Sequence, residues 1–270
     1  VGRVGRTTPR REPRPASCDA PRMESLEQVL RLAGLEPQPS GDDPCALVEA
    51  RVGPLPRSFA ALLRSNVWHE ALSFGSCDHP HGIDTLGLPM TGYGVPYLGA
   101  SDGVLPFLSE TQGVCTWAIR LGDAEDSEVL VEVDSMPRPK WQPTCSSFLT
   151  WLRCRIEDGH FLARAMFAAQ APALDPSTRD RMRAVFEEGT PTFAWPGHTN
   201  YRFRGALVDV LLWDTDDQCD WFIAPRGDAR EALRAIPNIR HILSALYGLS
   251  DDAQATLERI RSLDGTDDAD

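Results

Sequence analysis

Apolar residues Leu26, Val29, Leu30 and Ala33 recur at helical spacing behind Ser25. Gln28 completes a capping box and Gly34 ends the stripe, so the first predicted element is an amphipathic helix. A loop bearing Pro37, Pro39 and Pro44 follows. Phe59, Leu62 and Leu63 then recur at i, i+3, i+4 behind Pro56, predicting a short helix that runs to about Asn66. Residues 67–103 are rich in Gly, His and Pro without a clear period and read as a loop-dominated surface. Strict alternation begins at Cys115, Trp117, Ile119 and Leu121. It resumes at Val129, Val131 and Val133 beyond an acidic turn, the pattern of an antiparallel hairpin. Helical spacing returns at Phe148, Leu149, Leu152 and Ile156, with Thr144 or Ser146 as the expected cap.

A second series opens at Asp175-Pro176, an N-cap followed by an N1 proline, with Met182, Val185 and Phe186 on the helix and Gly189 as its stop. Tyr201–Phe203, Leu207–Trp213 and Cys219–Ala224 read as a strand meander. Three helices close the chain: Asp228 caps the first with Glu231 as box partner, Asn238 caps the second, and Ser250 precedes Leu257 and Ile260 in the third. No internal repeat links the two series. The expected organisation is a disordered Arg/Pro-rich leader at 1–22, one domain at 23–168, an α+β extension at 169–263 and a disordered acidic tail at 264–270.

Composition narrows the function classes. The 270 residues carry a formal charge of −12, against a passive binder of nucleic-acid phosphates. The leader holds six arginines against two acids, and the remainder has 21 basic residues against 37 acidic ones. Lys140 is the only lysine, and Arg138-Pro139-Lys140-Trp141 lacks the glycines and the Ser/Thr of a phosphate-binding loop. Seven cysteines are scattered without a C-x-x-C pair, the pattern of a reduced, intracellular protein. With no long apolar run and no secretory h-region, the sequence reads as cytoplasmic, with no membrane contact.

The ordered set Leu55-Pro56, Ser58-Phe59, Leu62-Leu63, Leu105-Pro106-Phe107, Glu110-x-Gln112-Gly113, Trp117, Asp134, Trp141, Ser147-Phe148-Leu149 and Trp151 resembles the SUKH superfamily of Smi/Knr-like proteins. The resemblance covers about residues 25–160. It departs where Asn66-Val67-Trp68 stands in place of the Asn-Gly-Gly common in that family. It implies an α+β fold with a curved antiparallel sheet and flanking helices, used chiefly to bind proteins without a cofactor. Bacterial relatives are typically immunity proteins that occlude toxins, often nucleases, so the expected partner is a toxin domain, and an acidic body suits a basic one.

The binding surface is expected on the 67–103 loop and two turns. Trp68, Tyr93 and Tyr97 supply aromatics. Glu110 and Gln112 stand at the hairpin mouth, where they fix the turn or face the partner. Asp123, Glu125 and Asp126 supply charge, and a second acidic turn, Asp214–Asp220, offers another place to meet partner arginines. Two alternatives belong to a different class. Gly99-Ala100-Ser101-Asp102-Gly103 matches a hydrolase nucleophile elbow, with His160, His198 or His241 as base, but Pro106 follows where the helix should run. His69, Cys77, His79 and His81, with Asp78 and Asp84, could be drawn as a zinc site, although their spacing matches no strong signature.

Overall fold

The computed structural model describes residues 25–39, 43–88, 90–92, 95–97, 103–113, 115–134, 140–194 and 197–264. The leader and the last six residues therefore lie outside the described residues. The capping box at Ser25 is formed: Ser25 Oγ accepts from the Gln28 amide at 3.3 Å, and Gln28 Oε1 accepts from the Ser25 amide at 2.9 Å. It opens α1 (Leu26–Leu32), whose Val29 and Leu30 are fully buried. The expected proline loop is in part a helix, α2 (Pro44–Val52), because Asp43 accepts from the Cys45 amide at 3.0 Å and Pro44 is pre-set for the first turn. Helix α3 (Arg57–Leu63) follows Leu55-Pro56 and stops three residues before Asn66. Within the expected loop region Trp68–Leu72 forms a further turn of helix, α4.

The first sheet is antiparallel, in the order β1-β4-β5-β6-β7. Its strands are β1 (His79–Pro80), β4 (Val104–Ser109), β5 (Thr116–Arg120), β6 (Val129–Asp134) and β7 (Lys140–Cys145), while β2 (Met90–Gly92) and β3 (Val95–Tyr97) pair separately. The expected hairpin is β5–β6, in which Trp117 faces Val131. Helix α5 (Phe148–Arg164) is capped by Ser147, not by Thr144 or Ser146, and the Ser147 hydroxyl accepts from the Thr150 amide at 3.1 Å. Its apolar side closes the first core: the Phe148 and Phe107 rings lie 5.2 and 5.3 Å from Phe59, and Trp151 lies 5.3 Å from Phe107.

The second sheet is also antiparallel. It comprises β8 (Phe167–Pro172), β9 (Glu187–Glu188), β10 (Thr192–Ala194), β11 (His198–Arg204), β12 (Val208–Asp214), β13 (Gln218–Pro225) and β14 (Tyr247–Gly248), in the order β10-β11-β12-β13-β8-β14, with β9 beside β11. Its helices are α6 (Pro176–Val185), α7 (Ala229–Arg234), α8 (Ile239–Leu243) and α9 (Asp251–Asp264). Asp175 and Asp228 cap α6 and α7 as expected. Asn238 instead takes a left-handed conformation with φ 60° and makes no cap bond. Because alternate residues of a strand face opposite ways, Phe203, Val210, Leu212 and Ile223 form a second core with Leu233 and Leu257. The opposite face carries His198, Asn200, Arg202, Trp213 and Asp220.

Helix α5 joins the halves by turning its polar side to that opposite face. Asp158 takes both Nε and Nη2 of Arg202 at 2.6 Å, and Glu157 pairs with Arg204 at 2.5 Å. Nearly two turns on, Arg164 reaches the buried Asp209 at 3.1 Å, alongside Arg226 at 2.8 Å. The turn after α4 also touches α5: at Gly75, with φ +64°, a Cβ would stand 2.3 Å from Gly159 Cα, so no side chain fits there. The expected domain boundary at 168/169 falls inside β8, and the chain passes from one sheet to the other between α5 and that strand.

Candidate functional site

Between the two sheets lies a cleft of about 500 Å³, within the range of small-ligand pockets. It is assembled from distant segments: the Phe74–Asp78 turn, the Glu110–Gln112 turn, Trp117 of β5, one side of α5, and the polar face of β11–β13. Arg155 of α5 organises the first-sheet side. Its guanidinium lies 5.4 Å from the Trp117 ring centroid and 5.6 Å from that of Trp151, a cation–π arrangement. It donates to the Leu72 carbonyl at 2.6 Å, to Ser76 Oγ at 2.6 Å and to Asp78 Oδ2. Asp78 Oδ1 accepts from the Thr111 amide at 3.2 Å, so the same carboxylate ties the helix turn to the hairpin turn.

The second-sheet side is a transverse row. Thr192 of β10 faces Asn200, Asn200 faces Trp213, Trp213 faces Asp220, and Asp220 faces Gln170 of β8. Residues directly opposite across an antiparallel pair share a face, so five side chains are aligned across five strands. Gln170 Nε2 donates to Asp220 at 3.3 Å. His198, two residues from Asn200, stacks on Trp213 at 5.5 Å with an interplanar angle of 21°. Burial lowers its imidazole to about 4, against the smaller opposing pull of Asp220, so it is neutral near pH 7. Burial works against the charge of Arg202, but Asp158, Cys154 and Glu157 together outweigh it and hold the guanidinium charged. The Cys115 and Cys154 thiols lining the cleft are pushed up to about 12 by burial, so neither offers a thiolate at neutral pH.

Two polar atoms of this row have no hydrogen-bond partner among the described residues: Asn200 Oδ1 and Trp213 Nε1. Asn200 is 7% exposed, and its Nδ2 donates to Asp158 at 3.3 Å, which fixes the amide orientation. A buried polar group left unmet costs about 1–3 kcal/mol, so the pair marks a place where folding has not been optimised for stability alone.

The sequence-derived candidates fall in several places. Glu110 and Gln112 line the cleft mouth, where Glu110 Oε2 accepts from the Gln112 amide at 2.6 Å and so fixes the turn. Trp68 is half-buried against the first core and meets His69 edge-on at 5.4 Å. Tyr93 lies outside the described residues, as does the Tyr97 side chain, although Tyr97 itself ends β3. Asp123 and Glu125 pair with Arg57 at 3.3 and 2.7 Å on the surface. Asp126 has an internal role: it accepts from the Ser58 and Ser147 hydroxyls and from the Phe148 amide at 3.2 Å, joining α3 to the start of α5. Of the second acidic turn, Asp220 faces the cleft, whereas Asp214 accepts from the Leu174 amide at 2.7 Å.

Ser101 lies outside the described residues. His160 Nε2 donates to the Leu32 carbonyl at 2.7 Å, and the His241 side chain lies outside the described positions. His81 is buried with both ring nitrogens engaged: Nδ1 donates to the Pro106 carbonyl at 3.2 Å and Nε2 accepts from Ser109 Oγ at 2.8 Å. His69, Cys77 and His79 are exposed, and among the described residues no His, Cys, Asp or Glu group is arranged to hold a metal ion. Nor is any described helix long and apolar enough to cross a membrane. Sequence reading missed Arg155, Asp158, Asn200 and Arg202. The alternation His198-x-Asn200-x-Arg202 was the available signal for a polar inner face. Comparison of the chain with protein-family models, with curated proteins and with solved structures finds no match.

Proposed function

We propose that the chain is a protein-binding module of the Smi/Knr-like kind, and that it acts in the cytoplasm as an immunity protein by stoichiometric occlusion of a toxin domain. The observation that carries this reading is the placement of the resembling residues. Leu55-Pro56 leads into α3, Leu105-Pro106-Phe107 lies on β4, Trp117 on β5, Trp141 on β7, and Ser147-Phe148-Leu149 opens α5. All belong to one antiparallel sheet and the helices packed on it, as the resemblance implies. The same lobe sets Glu110 and Gln112 beside a cleft with several aromatic rings, and aromatic anchors within a polar rim are what a protein interface uses for affinity. The acidic charge favours a basic partner by steering it during approach.

The test is co-expression. A toxin domain encoded beside this gene should arrest bacterial growth alone and lose that effect when this chain is produced with it. If no such domain is encoded there, or growth stays arrested, the reading fails.

A further inference from the structure

The cleft wall on the second sheet does not balance its own groups. Of its neighbouring acids, Asp158 is matched by Arg202 and Asp78 by Arg155, each in a short ion pair. Both arginines are further saturated, Arg202 by the Thr190 carbonyl at 2.8 Å and Thr192 Oγ1 at 3.0 Å, and Arg155 by Leu72 and Ser76. Asp220 differs. Among the described residues its carboxylate receives a side-chain hydrogen bond from the neutral Gln170 amide only, and the nearby His198 ring is kept uncharged by burial. Beside it in the same row stand the unmet acceptor Asn200 Oδ1 and the unmet donor Trp213 Nε1. Both atoms are closed to solvent.

Resting on the protein-binding reading above, we propose that the cleft is the seat for a basic side chain of the partner, an arginine presented with its own backbone amide. The chemistry is complementary at each point. A guanidinium supplies a positive charge to Asp220 and a second N–H to Asn200 Oδ1, and the peptide carbonyl of the same residue accepts from Trp213 Nε1. Ring faces give a planar cation further attraction, as Trp117 and Trp151 already do for Arg155. An anionic occupant would meet Asp220 and Glu110 with like charge, and a purely apolar one would leave all three polar groups unmet.

The probe is Nα-acetyl-arginine N-methylamide, titrated into the full chain with tryptophan fluorescence as readout. Saturable binding at millimolar concentration is expected, with the citrulline analogue at least about tenfold weaker, since its urea lacks the positive charge and replaces an N–H donor group with a carbonyl. Asp220→Asn should weaken the arginine probe by about tenfold while thermal unfolding stays unchanged, and Trp213→Phe should weaken it severalfold through loss of the N–H. Equal binding of the two analogues, no saturation, or an unaffected Asp220→Asn protein would overturn the proposal. The two readings fail separately. A toxin partner bound at full strength by Asp220→Asn removes the arginine seat and leaves the binding module standing. Absence of any protein partner, with the arginine probe still saturating the cleft, does the reverse.

Discussion

Removing the Asp158 carboxylate should loosen the junction between the two sheets. Among the described residues Arg202 is the largest fully buried side chain, 1% exposed, and Asp158 is its only ion-pair partner at hydrogen-bond distance. Asp158→Ala deletes two charge-assisted bonds of 2.6 Å and the 3.3 Å bond from Asn200, leaving the guanidinium with Thr190 and Thr192. Breaking a buried pair from one side costs about 3–5 kcal/mol, because the remaining charge stays buried without compensation. Glu157, close enough to stabilise the Arg202 charge, puts the expected loss near the lower end, about 3 kcal/mol. In a chain of this size that is a fall of roughly 6–12 °C in melting temperature. Urea unfolding followed by far-UV circular dichroism measures it. The double variant Asp158→Leu with Arg202→Met should recover all but about 1 kcal/mol, since an apolar pair of similar volume has no charge to strand. A single-variant loss below about 1 kcal/mol, or a double variant no better than the single, would show that the buried pair does not hold the junction.

Four further outcomes follow from the same structure. Asp126→Ala should cost about 1–2 kcal/mol in thermal unfolding because it frees the start of α5. Neutralising Asp123 and Glu125 together, whose pairs with Arg57 are solvent-exposed, should leave thermal unfolding nearly unchanged. Gly75→Ala should cost about 2 kcal/mol or more, since the left-handed backbone and Gly159 both oppose a Cβ. His198 makes stability fall on acidification: its folded value is near 4, the unfolded chain takes up the proton from about 6.5, and the contribution is full above that pH and lost towards 4. His198→Gln should therefore lose less stability than the parent between pH 7 and pH 4.5, by on the order of 1–2 kcal/mol after allowance for partial exposure.

Local signals were legible where chemistry and period agree within one segment. The Ser25–Gln28 box, the Asp175-Pro176 and Asp228 caps, the β5–β6 alternation and the β11–β13 meander all appear where the sequence places them. Asp43-Pro44 carries the same start signal as Asp175-Pro176, yet three prolines in eight residues made it read as a loop. Other elements depend on partners far along the chain. β8, Phe-Ala-Ala-Gln-Ala-Pro, has weak strand propensity and is held between β13 and β14. β7 tolerates Pro143 because it is the last strand of its sheet. Asn238 stands at the N-cap position of α8 as the sequence places it, but in the left-handed backbone open to Asn and without a side-chain cap bond. The cleft was the least legible feature, since it joins residues from position 74 to position 220, and Trp117, a member of the first core, also forms part of its wall.

Stoichiometry separates occlusion from turnover. The purified chain should be titrated into the toxin domain encoded beside its gene, with toxin activity and complex mass read together. A 1:1 complex and complete inhibition at one equivalent are expected. Inhibition by a small fraction of an equivalent, with no stable complex, would show the chain acting by turnover and contradict occlusion.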